Sequence, residues 1–386
     1  YYYLDSRGQL MAIKPADFFK KLTSHGVEFF TGVPDSLLKE FCLCIDDSIV
    51  GDKHIIAANE GNAVALAAGY YLAQKSIPLV YMQNSGLGNA INPLLSLCDS
   101  DVYSIPLLVL VGWRGEPGVK DEPQHIKQGK VQLELLKALD IPYKIISQND
   151  NQFAMQISNG VEIAKTENRP VVFLIKKGTF EKYTTEIEKS PIQCMKREEA
   201  LEIILRNLDD NAIVVSTTGK TSREIFEIRE KNGQSHHQDF LTVGSMGHCS
   251  AIALGIALAK PLRQVVCIDG DGAMLMHLGS LTSIAILKPK NFRHILMNNE
   301  VHESVGGQKT AAKELDMTAI VNSLGSSKIF NAETPADLEQ KFIDFVSCPG
   351  PSFLEVKIQS GSRENLGRPT IKPVDNKENF MKYLEK

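Results

Sequence analysis

Two apolar runs that each end in glycine or asparagine constrain this chain more than any other feature. The run 264–268 reads as a buried parallel strand, and 292–297 reads as a second strand. The first leads into Gly270–Gly272 and then an apolar helix, and the second leads into Asn298–Asn299. Carboxyl ends of neighbouring parallel strands form the edge where open α/β sheets bind anionic ligands. The segment therefore predicts a binding edge.

The oxygen donors of this edge suit a diphosphate held through Mg²⁺. Asp271 offers a carboxylate, Asn299 an amide oxygen and Val301 a backbone carbonyl, and Mg²⁺ prefers oxygen ligands. The glycines beside Asp271 let the backbone approach phosphates closely. An isolated Gly-Asp-Gly is usually a structural turn, but the paired asparagines one strand later favour a ligand site.

Size and charge exclude several classes of protein. The 386 residues are enough for two domains, and the net charge of −4 gives no reason to expect nucleic acid or an anionic membrane as a partner. We see no apolar run long enough to span a bilayer and no signal peptide, so we expect a cytoplasmic protein. Residues 1–10 look vector-derived or disordered, with Met11 as the natural start.

Strands and helices alternate on both sides of a charged, weakly periodic segment. This alternation predicts two doubly wound parallel-sheet domains, residues 11–180 and 197–386, joined by a linker at 181–196. We predict strands at 28–31, 55–57, 79–82, 107–111, 143–146 and 171–175 in the first half, and at 212–216, 264–268, 292–297 and 352–356 in the second.

Polar clusters follow three of the predicted strands in the first half. They contain Asp35, Glu60, and the pair Asn84–Ser85 in a glycine-rich turn. Glu60 taken alone reads as a surface carboxylate near a helix start. We also predict a long loop from Arg114 to Lys130, which reads either as a solvated segment or as a lid that carries Lys120 and His125.

Two clusters in the second half suggest ligand contacts. Thr217–Arg223 contains Gly-Lys-Thr, but the first glycine of a P-loop would fall at Val214, so we expect an anion-binding helix start with Lys220 and Arg223 instead. Gly244–Gly247 encloses Ser245 and Met246, which read as a ligand-facing turn or as a packing turn with a core methionine. The seven cysteines are scattered, which favours free thiols over disulfides or a zinc site.

Taken together, these clusters resemble the thiamine-diphosphate-dependent decarboxylases. The resemblance covers nearly the whole chain and implies the thiamine-diphosphate-binding fold without a middle domain. Five segments resemble the phosphonopyruvate decarboxylase branch, and sulfopyruvate decarboxylases come next: TGVPDSLLK (31–39), MQNSGLGNAINPL (82–94), DEPQHIKQGK (121–130), STTGKTSRE (216–224) and HESVGGQ (302–308). A glycine would be expected near Glu300, and Lys309 is also unusual.

The resemblance also implies roles for individual residues. Glu60 would contact the aminopyrimidine ring and promote its activation, with Asp35, His125 and His302 as candidates for moving protons. Thiamine diphosphate would be held by Glu60 and by Thr217, Gly219, Gly244, Ser245, Met246, Gly247, Gly270, Asp271, Gly272, Ala273, Asn299 and Val301. Mg²⁺ would be bound by Asp271, Asn299 and the Val301 carbonyl. A small anionic 2-oxo acid would meet Asn84, Ser85, Arg114, Lys120, Lys220, Arg223, Gly306, Gly307 and Gln308.

In this family one subunit supplies the glutamate and another the diphosphate site, which implies at least a homodimer. Three other functions stay open at this point. They are sulfopyruvate decarboxylation, a carboligase that joins the bound fragment to a second carbonyl compound, and a non-catalytic subunit. Retention of both Glu60 and Asp271 argues against the last.

Overall fold

The computed structural model describes residues 12–148, 152–185, 194–325 and 328–385. The chain divides into two compact units. The first comprises residues 1–187 with 305–308, and the second comprises 188–304 with 309–386. The predicted linker falls partly outside the described residues, because residues 186–193 are not among them.

The first unit is built on a six-stranded parallel sheet with the strand order β2-β1-β3-β4-β6-β5. Its strands are β1 (Phe30–Gly32), β2 (His54–Ile56), β3 (Leu79–Gln83), β4 (Leu108–Gly112), β5 (Tyr143–Ile146) and β6 (Val171–Ile175). Its helices are α1 (Pro15–Ser24), α2 (Lys39–Ser48), α3 (Glu60–Gln74), α4 (Leu87–Leu97), α5 (Pro123–Ala138) and α6 (Phe153–Glu167).

Alternate residues of the central strands enter two apolar clusters. Leu108 and Leu110 of β4 pack in one cluster, and Val109 and Val111 pack in the other. Both faces of this sheet are therefore covered, which explains why β4 and β6 are apolar throughout. The strand order reverses between β1 and β3, and this switch point opens a crevice at their carboxyl ends.

The second unit repeats the plan with the strand order β13-β14-β10-β9-β7-β8. Its strands are β7 (Ile213–Ser216), β8 (Asp239–Leu241), β9 (Val265–Gly270), β10 (Phe292–Asn298), β13 (Lys328–Ala332) and β14 (Ser352–Lys357), and β11 (Val301–His302) with β12 (Gln308–Lys309) forms a separate two-stranded ribbon. Its helices are α7 (Arg197–Arg206), α8 (Lys220–Lys231), α9 (Cys249–Ala259), α10 (Asp271–Met276), α11 (Ser280–Leu287), α12 (Met317–Ser323), α13 (Pro335–Ser347) and α14 (Pro373–Leu384). The switch point here lies between β7 and β9.

The predicted fold class of two doubly wound parallel sheets is confirmed. All ten predicted strands are present, and β5 and β6 have the predicted bounds. Apolar runs located most of these strands because the central strands of each sheet are buried on both faces.

Two local predictions were wrong, and two strands were missed. The loop predicted from Arg114 to Lys130 ends early, because α5 begins at Pro123, whose fixed φ suits the first position of a helix. The apolar helix predicted after Gly272 is two helices, α10 and α11. Strands β8 and β13 were not predicted: β8 has three residues, and β13 is only partly buried, so neither has a clear apolar run.

Among the described residues, no helix combines the length and the apolar character needed to cross a bilayer.

Candidate active site

The switch point of the second unit brings together the turns that follow β7 and β9. Ser216 of β7 pairs with Ile268 of β9, and the Thr217 backbone N–H donates to the Ile268 carbonyl at 2.8 Å. Gly219, at φ 99°, then immediately precedes α8. A left-handed backbone of this kind favours glycine, so the sequence TTGK fits this helix start.

Asp271 is the first residue of α10, immediately after β9. Its carboxylate is buried and accepts a hydrogen bond of 2.6 Å from Thr310 Oγ1. Burial raises the pKa of Asp271 to about 6, although the bonds from Thr310 and from backbone N–H groups act in the opposite direction. A buried carboxylate surrounded by neutral donors is well suited to hold a cation.

The chain after β10 forms a tight turn that carries the other two predicted metal ligands. Asn299 Oδ1 accepts from the Val301 backbone N–H at 3.2 Å, and Asn298 Oδ1 accepts from Glu300 N at 3.1 Å. Glu300 has a φ of 63°, which explains why a glycine would be expected near this position. The Glu300 carboxylate lies 3.4 Å from Lys357 Nζ.

Glu303 connects this turn to the starts of α7 and α8. Its carboxylate accepts from Asn299 Nδ2 at 3.0 Å, from Arg197 Nη1 at 2.7 Å and from Lys220 Nζ at 2.6 Å. Arg197 also binds Glu224, with bonds of 2.7 and 2.9 Å. Burial acts to raise the pKa of Glu303, but Arg197 and Lys220 hold this pKa below its usual value. The Glu303 side chain is therefore ionised.

The turn from Gly244 to Gly247 has three residues with left-handed backbone, Gly244 at φ 67°, Ser245 at 46° and Gly247 at 85°. The Gly244 N–H donates to Thr218 Oγ1 at 3.0 Å, which joins this turn to the one after β7. Met246 is half-buried, so it is not a fully enclosed core methionine. The side chain is available for contact with a bound molecule.

The segment from His302 to Gln308 contains two of the predicted contacts. His302 lies against Gly272, where an added Cβ would be 2.8 Å from its ring, and burial lowers the pKa of His302 to about 4. Gln308 is 5% exposed, and neither end of its amide has a hydrogen-bond partner within the described ranges. Gly306 (φ 143°) and Gly307 (φ 84°) let the backbone turn beside this amide.

In the first unit, Glu60 is the first residue of α3, and Asn59 caps the helix by accepting from Asn62 N. Glu60 is 5% exposed, so its interpretation as a surface carboxylate was wrong. Asn89 Nδ2 donates to Glu60 Oε2 at 2.8 Å. Gly86 lies against the same carboxylate, and a Cβ at that position would overlap Glu60 Oε1.

Asp35 lies at the switch point of this sheet, after β1. It is fully buried and accepts from Gln83 Nε2 at 2.6 Å and from the Leu37 N–H at 3.0 Å. Burial raises the pKa of Asp35, against the effect of these two bonds. Gly112 at the end of β4 leaves room for this carboxylate, because a Cβ there would overlap Asp35 Oδ2.

Arg114 is held by neighbours on several sides. Its guanidinium binds Asp121 through two nitrogens and donates to Ser36 Oγ at 2.8 Å. The Asn84 amide bonds to the backbone N–H and carbonyl of Arg114, and Ser85 Oγ donates to Gln83 Oε1 at 2.7 Å. Asn84 thus orders the loop that carries Arg114.

The remaining predicted residues lie at more ordinary positions. His125 is buried on α5, and Lys120 is exposed in the loop before that helix. Arg223 is half-buried in the first turn of α8, and Ala273 is buried in α10. Sequence reasoning missed Gln83, Asn89, Thr310 and Glu303, although three of these four lie within quoted segments. Amide and hydroxyl side chains are too common in turns for their spacing alone to single them out.

A second set of potential metal ligands is buried inside the sheet of the second unit. Ligand atoms of Cys267, Asp269 and His294 lie within 4.8 Å of one another. Cys249 Sγ is 3.4 Å from Cys267 Sγ, and Asp269 Oδ2 is 3.6 Å from His294 Nε2. These four buried polar side chains therefore pack against one another inside the sheet.

All seven cysteines are free thiols, as predicted.

The residues at the second switch point fit a magnesium-bound diphosphate. The donor set near Asp271 consists of carboxylate, amide and carbonyl oxygens, which are the ligands that Mg²⁺ prefers. The glycine at 219 and the start of α8 offer backbone N–H groups for phosphate oxygens.

Comparison with known proteins agrees with this geometry. Residues 16–137 match the thiamine pyrophosphate enzyme N-terminal TPP binding domain, and residues 217–356 match the C-terminal TPP binding domain. A phosphonopyruvate decarboxylase from Streptomyces hygroscopicus is 33% identical over 96% of this chain and 94% of its own length. The chain belongs to the thiamine-diphosphate-dependent decarboxylase family.

Two further members of this decarboxylase family align along most of the chain. A phosphonopyruvate decarboxylase from Streptomyces viridochromogenes is 33% identical over 96% of this chain and 95% of its own length. A sulfopyruvate decarboxylase from Methanosarcina acetivorans is 27% identical over 93% of this chain and 94% of its own length. The predicted family and the predicted cofactor class, thiamine diphosphate, are confirmed.

Proposed function

We propose that this chain is a phosphonopyruvate decarboxylase, which converts 3-phosphonopyruvate to phosphonoacetaldehyde and CO₂ as a step in phosphonate biosynthesis. The observation that carries the proposal is the 33% identity, over 96% of the chain, to two proteins of that name. In this reaction the bond between the carboxylate and the keto carbon breaks, CO₂ leaves, and a proton takes its place.

Thiamine diphosphate would be held at its diphosphate end by Asp271 and its neighbours and at its aminopyrimidine end by Glu60. Asp271, Asn299 and the Val301 carbonyl would bind Mg²⁺, and the turns at Thr217–Gly219 and Gly270–Ala273 would face the diphosphate. When bound, this cofactor supplies a carbon nucleophile and takes up the electron pair that CO₂ leaves behind.

Glu60 would act on the aminopyrimidine end by sharing a proton with the ring. Its burial and the bond from Asn89 support this role, because a fixed carboxylate in a dry site meets the ring in one geometry. The Gly244–Gly247 turn would contact the same ring. Among the predicted proton carriers, the raised pKa of Asp35 supports this role, since burial lets Asp35 hold a proton closer to neutral pH than an exposed aspartate can. His125 and His302 stay candidates.

The substrate carries a phosphonate as well as a carboxylate, so cations are needed. Arg114 and Lys220 are the strongest candidates because Asp121 and Glu303 hold each of them in a fixed position. Lys120 and Arg223 would add positive charge. Gly306 and Gly307 would offer backbone N–H groups to the substrate. The Gln308 amide has donors that no described residue uses. Asn84 and Ser85 would act by ordering the turn beneath the substrate.

We further propose that two copies of the chain form each site, with Glu60 from one copy and Asp271 and the other proposed metal ligands from the other.

Residues 11–180 and 197–386 are the two cofactor-binding domains in this proposal. The cytoplasm stays the predicted compartment.

The test is to measure CO₂ and aldehyde release from phosphonopyruvate with thiamine diphosphate and Mg²⁺ present. Turnover should require both additions and should be at least about tenfold faster than with sulfopyruvate, a difference of about 1.4 kcal/mol in the activation free energy. The 27%-identical relative makes sulfopyruvate the specific rival. Faster turnover of sulfopyruvate would overturn the substrate assignment, and a product with a lengthened carbon skeleton would indicate a carboligase.

A further inference from the structure

Glu303, to which no role was predicted, lies at the centre of a charged cluster. Its side chain is 11% exposed, and its two oxygens accept from Arg197, Lys220 and Asn299. Arg197 and Glu224, which complete the cluster, are 6% and 2% exposed. Four buried or half-buried charges of opposite sign therefore cancel within one group, which is the condition for keeping such charges away from water.

The contact with Asn299 has a direct consequence for metal binding. A side-chain amide has a donor end and an acceptor end of similar shape, and only the oxygen can bind Mg²⁺. The Glu303 carboxylate can only accept, so it selects the orientation in which Asn299 Nδ2 faces it. The Val301 N–H, which donates to Asn299 Oδ1 at 3.2 Å, selects the same orientation. The oxygen is thereby presented on the side away from Glu303.

The contact with Lys220 connects the same carboxylate to the start of α8. Lys220 is the first residue of that helix, and Gly219 precedes it. Arg197 begins α7, so Glu303 joins the turn after β10 to two helix starts. A carboxylate fixed by two cations cannot rotate freely, and this restraint passes to the amide of Asn299.

We propose that Glu303 is a positioning residue for the magnesium site, which orients the Asn299 amide and balances the positive charge of Arg197 and Lys220 beside the metal. This inference rests on the proposed function, because it takes Asn299 as a metal ligand. Loss of the Glu303 charge would weaken one of the two contacts that orient Asn299, the other being the Val301 N–H, and would leave one uncompensated positive charge near a divalent cation.

The test compares Glu303→Gln with Glu224→Gln by calorimetric titration of thiamine diphosphate into the full-length apo protein at a series of Mg²⁺ concentrations. Both variants lose one negative charge next to Arg197, but only Glu303 contacts Asn299. We expect Glu303→Gln to raise the half-saturating Mg²⁺ concentration by about tenfold or more, in the range of second-shell substitutions. Glu224→Gln should raise it by less than about threefold while lowering the thermal midpoint.

Two results would overturn the inference. One is a magnesium requirement of Glu303→Gln within about threefold of the parent protein, and the other is an equal rise in both variants, which would mean that net charge alone matters. If Glu303→Gln does not fold, Glu303→Asp keeps the charge and withdraws the carboxylate by one methylene. A folded Glu303→Asp variant with the parent magnesium requirement would equally refute the positioning role.

Asp271→Asn separates this inference from the magnesium site on which it rests. If Asp271→Asn binds the cofactor as tightly as the parent protein at every Mg²⁺ concentration, the metal site itself is wrong. If Asp271→Asn loses magnesium-dependent binding while Glu303→Gln does not, only the role of Glu303 is refuted.

Discussion

Glu60 and Asp271 are both buried acids at the first residue of a helix, but their surroundings differ. Asp271 accepts bonds from the Thr310 hydroxyl and from backbone N–H groups. Glu60 accepts from the Asn89 amide and has a glycine, Gly86, against its other oxygen. The first environment suits the metal-binding role proposed for Asp271. In the second, Asn89 bonds one oxygen of Glu60 and no Cβ lies against the other, which suits the proton exchange proposed for Glu60. Similar helix starts can therefore support different chemistry.

The largest expected effect comes from Glu60→Gln, which keeps the shape of the side chain and removes its proton exchange. We expect kcat to fall by about 10³-fold, within the range for loss of a general acid–base group. Calorimetry should show cofactor binding within a few-fold of the parent protein. Glu28→Gln, an exposed acid paired with Lys53 in the same unit, is the control and should leave kcat unchanged.

Asp271→Ala should have the opposite profile, because it removes a proposed metal ligand. We expect the affinity for thiamine diphosphate in the presence of Mg²⁺ to fall by at least about 100-fold, which exceeds the usual effect of a second-shell change. The measurement is cofactor retention during dialysis against Mg²⁺. If Asp271→Ala kept its cofactor and lost only turnover, the two acids would not differ in the way proposed.

Gly86→Ala tests whether the space beside Glu60 matters. A Cβ added at Gly86 would overlap Glu60 Oε1. A Cβ added at Gly88, two residues further on in α4, would have no neighbouring atom within 4 Å. We expect Gly86→Ala to lower kcat by about 10- to 100-fold through displacement of the carboxylate, and Gly88→Ala to leave it unchanged. Equal activities of the two variants would show that the position of Glu60 tolerates this change.

The smallest expected effect concerns the ion pair between Arg114 and Asp121 in the first unit. Although burial acts to raise it, the bonds from Arg114 and from two backbone N–H groups hold the pKa of Asp121 well below its usual value. A lowered pKa means that the pair stabilises the fold fully above the normal aspartate range and that this contribution is lost as the pH falls further. Asp121→Asn should therefore lower the free energy of unfolding by about 1–3 kcal/mol at pH 7.

Denaturant unfolding at a series of pH values checks this prediction. The difference between Asp121→Asn and the parent protein should shrink as the pH is lowered through the acidic range. A difference that stays constant down to low pH would mean that Asp121 acts through its shape or its packing, and the charge would then have no part in the stabilisation.

The central strands of both sheets were predicted from the sequence, because most strands buried on two faces have apolar runs that stand out in the chain, whereas the less apolar β8 and β13 were missed. Asp271 and Asn299 followed from their places after such strands. The start of α5 was missed because proline occurs both in the preceding loop and at the first position of the helix, and the first turn is largely polar. Local composition alone does not separate these two structures.

The partners of the candidate residues could not be predicted in the same way. Thr310 lies 39 positions from Asp271, and Arg197 lies 106 positions from Glu303. Such contacts depend on how turns from different strands meet, which short-range patterns do not contain. The expected glycine near Glu300 was informative, because that residue has a left-handed backbone that glycine adopts without strain.

The central claim is that Glu60 of one copy and Asp271 of another serve the same cofactor. The most direct test is to co-express Glu60→Gln with Asp271→Ala, each inactive alone, and to measure decarboxylation of phosphonopyruvate. Random pairing would give mixed dimers with one intact site and about a quarter of the parent activity. Activity no greater than the sum of the two separate variants would contradict the claim.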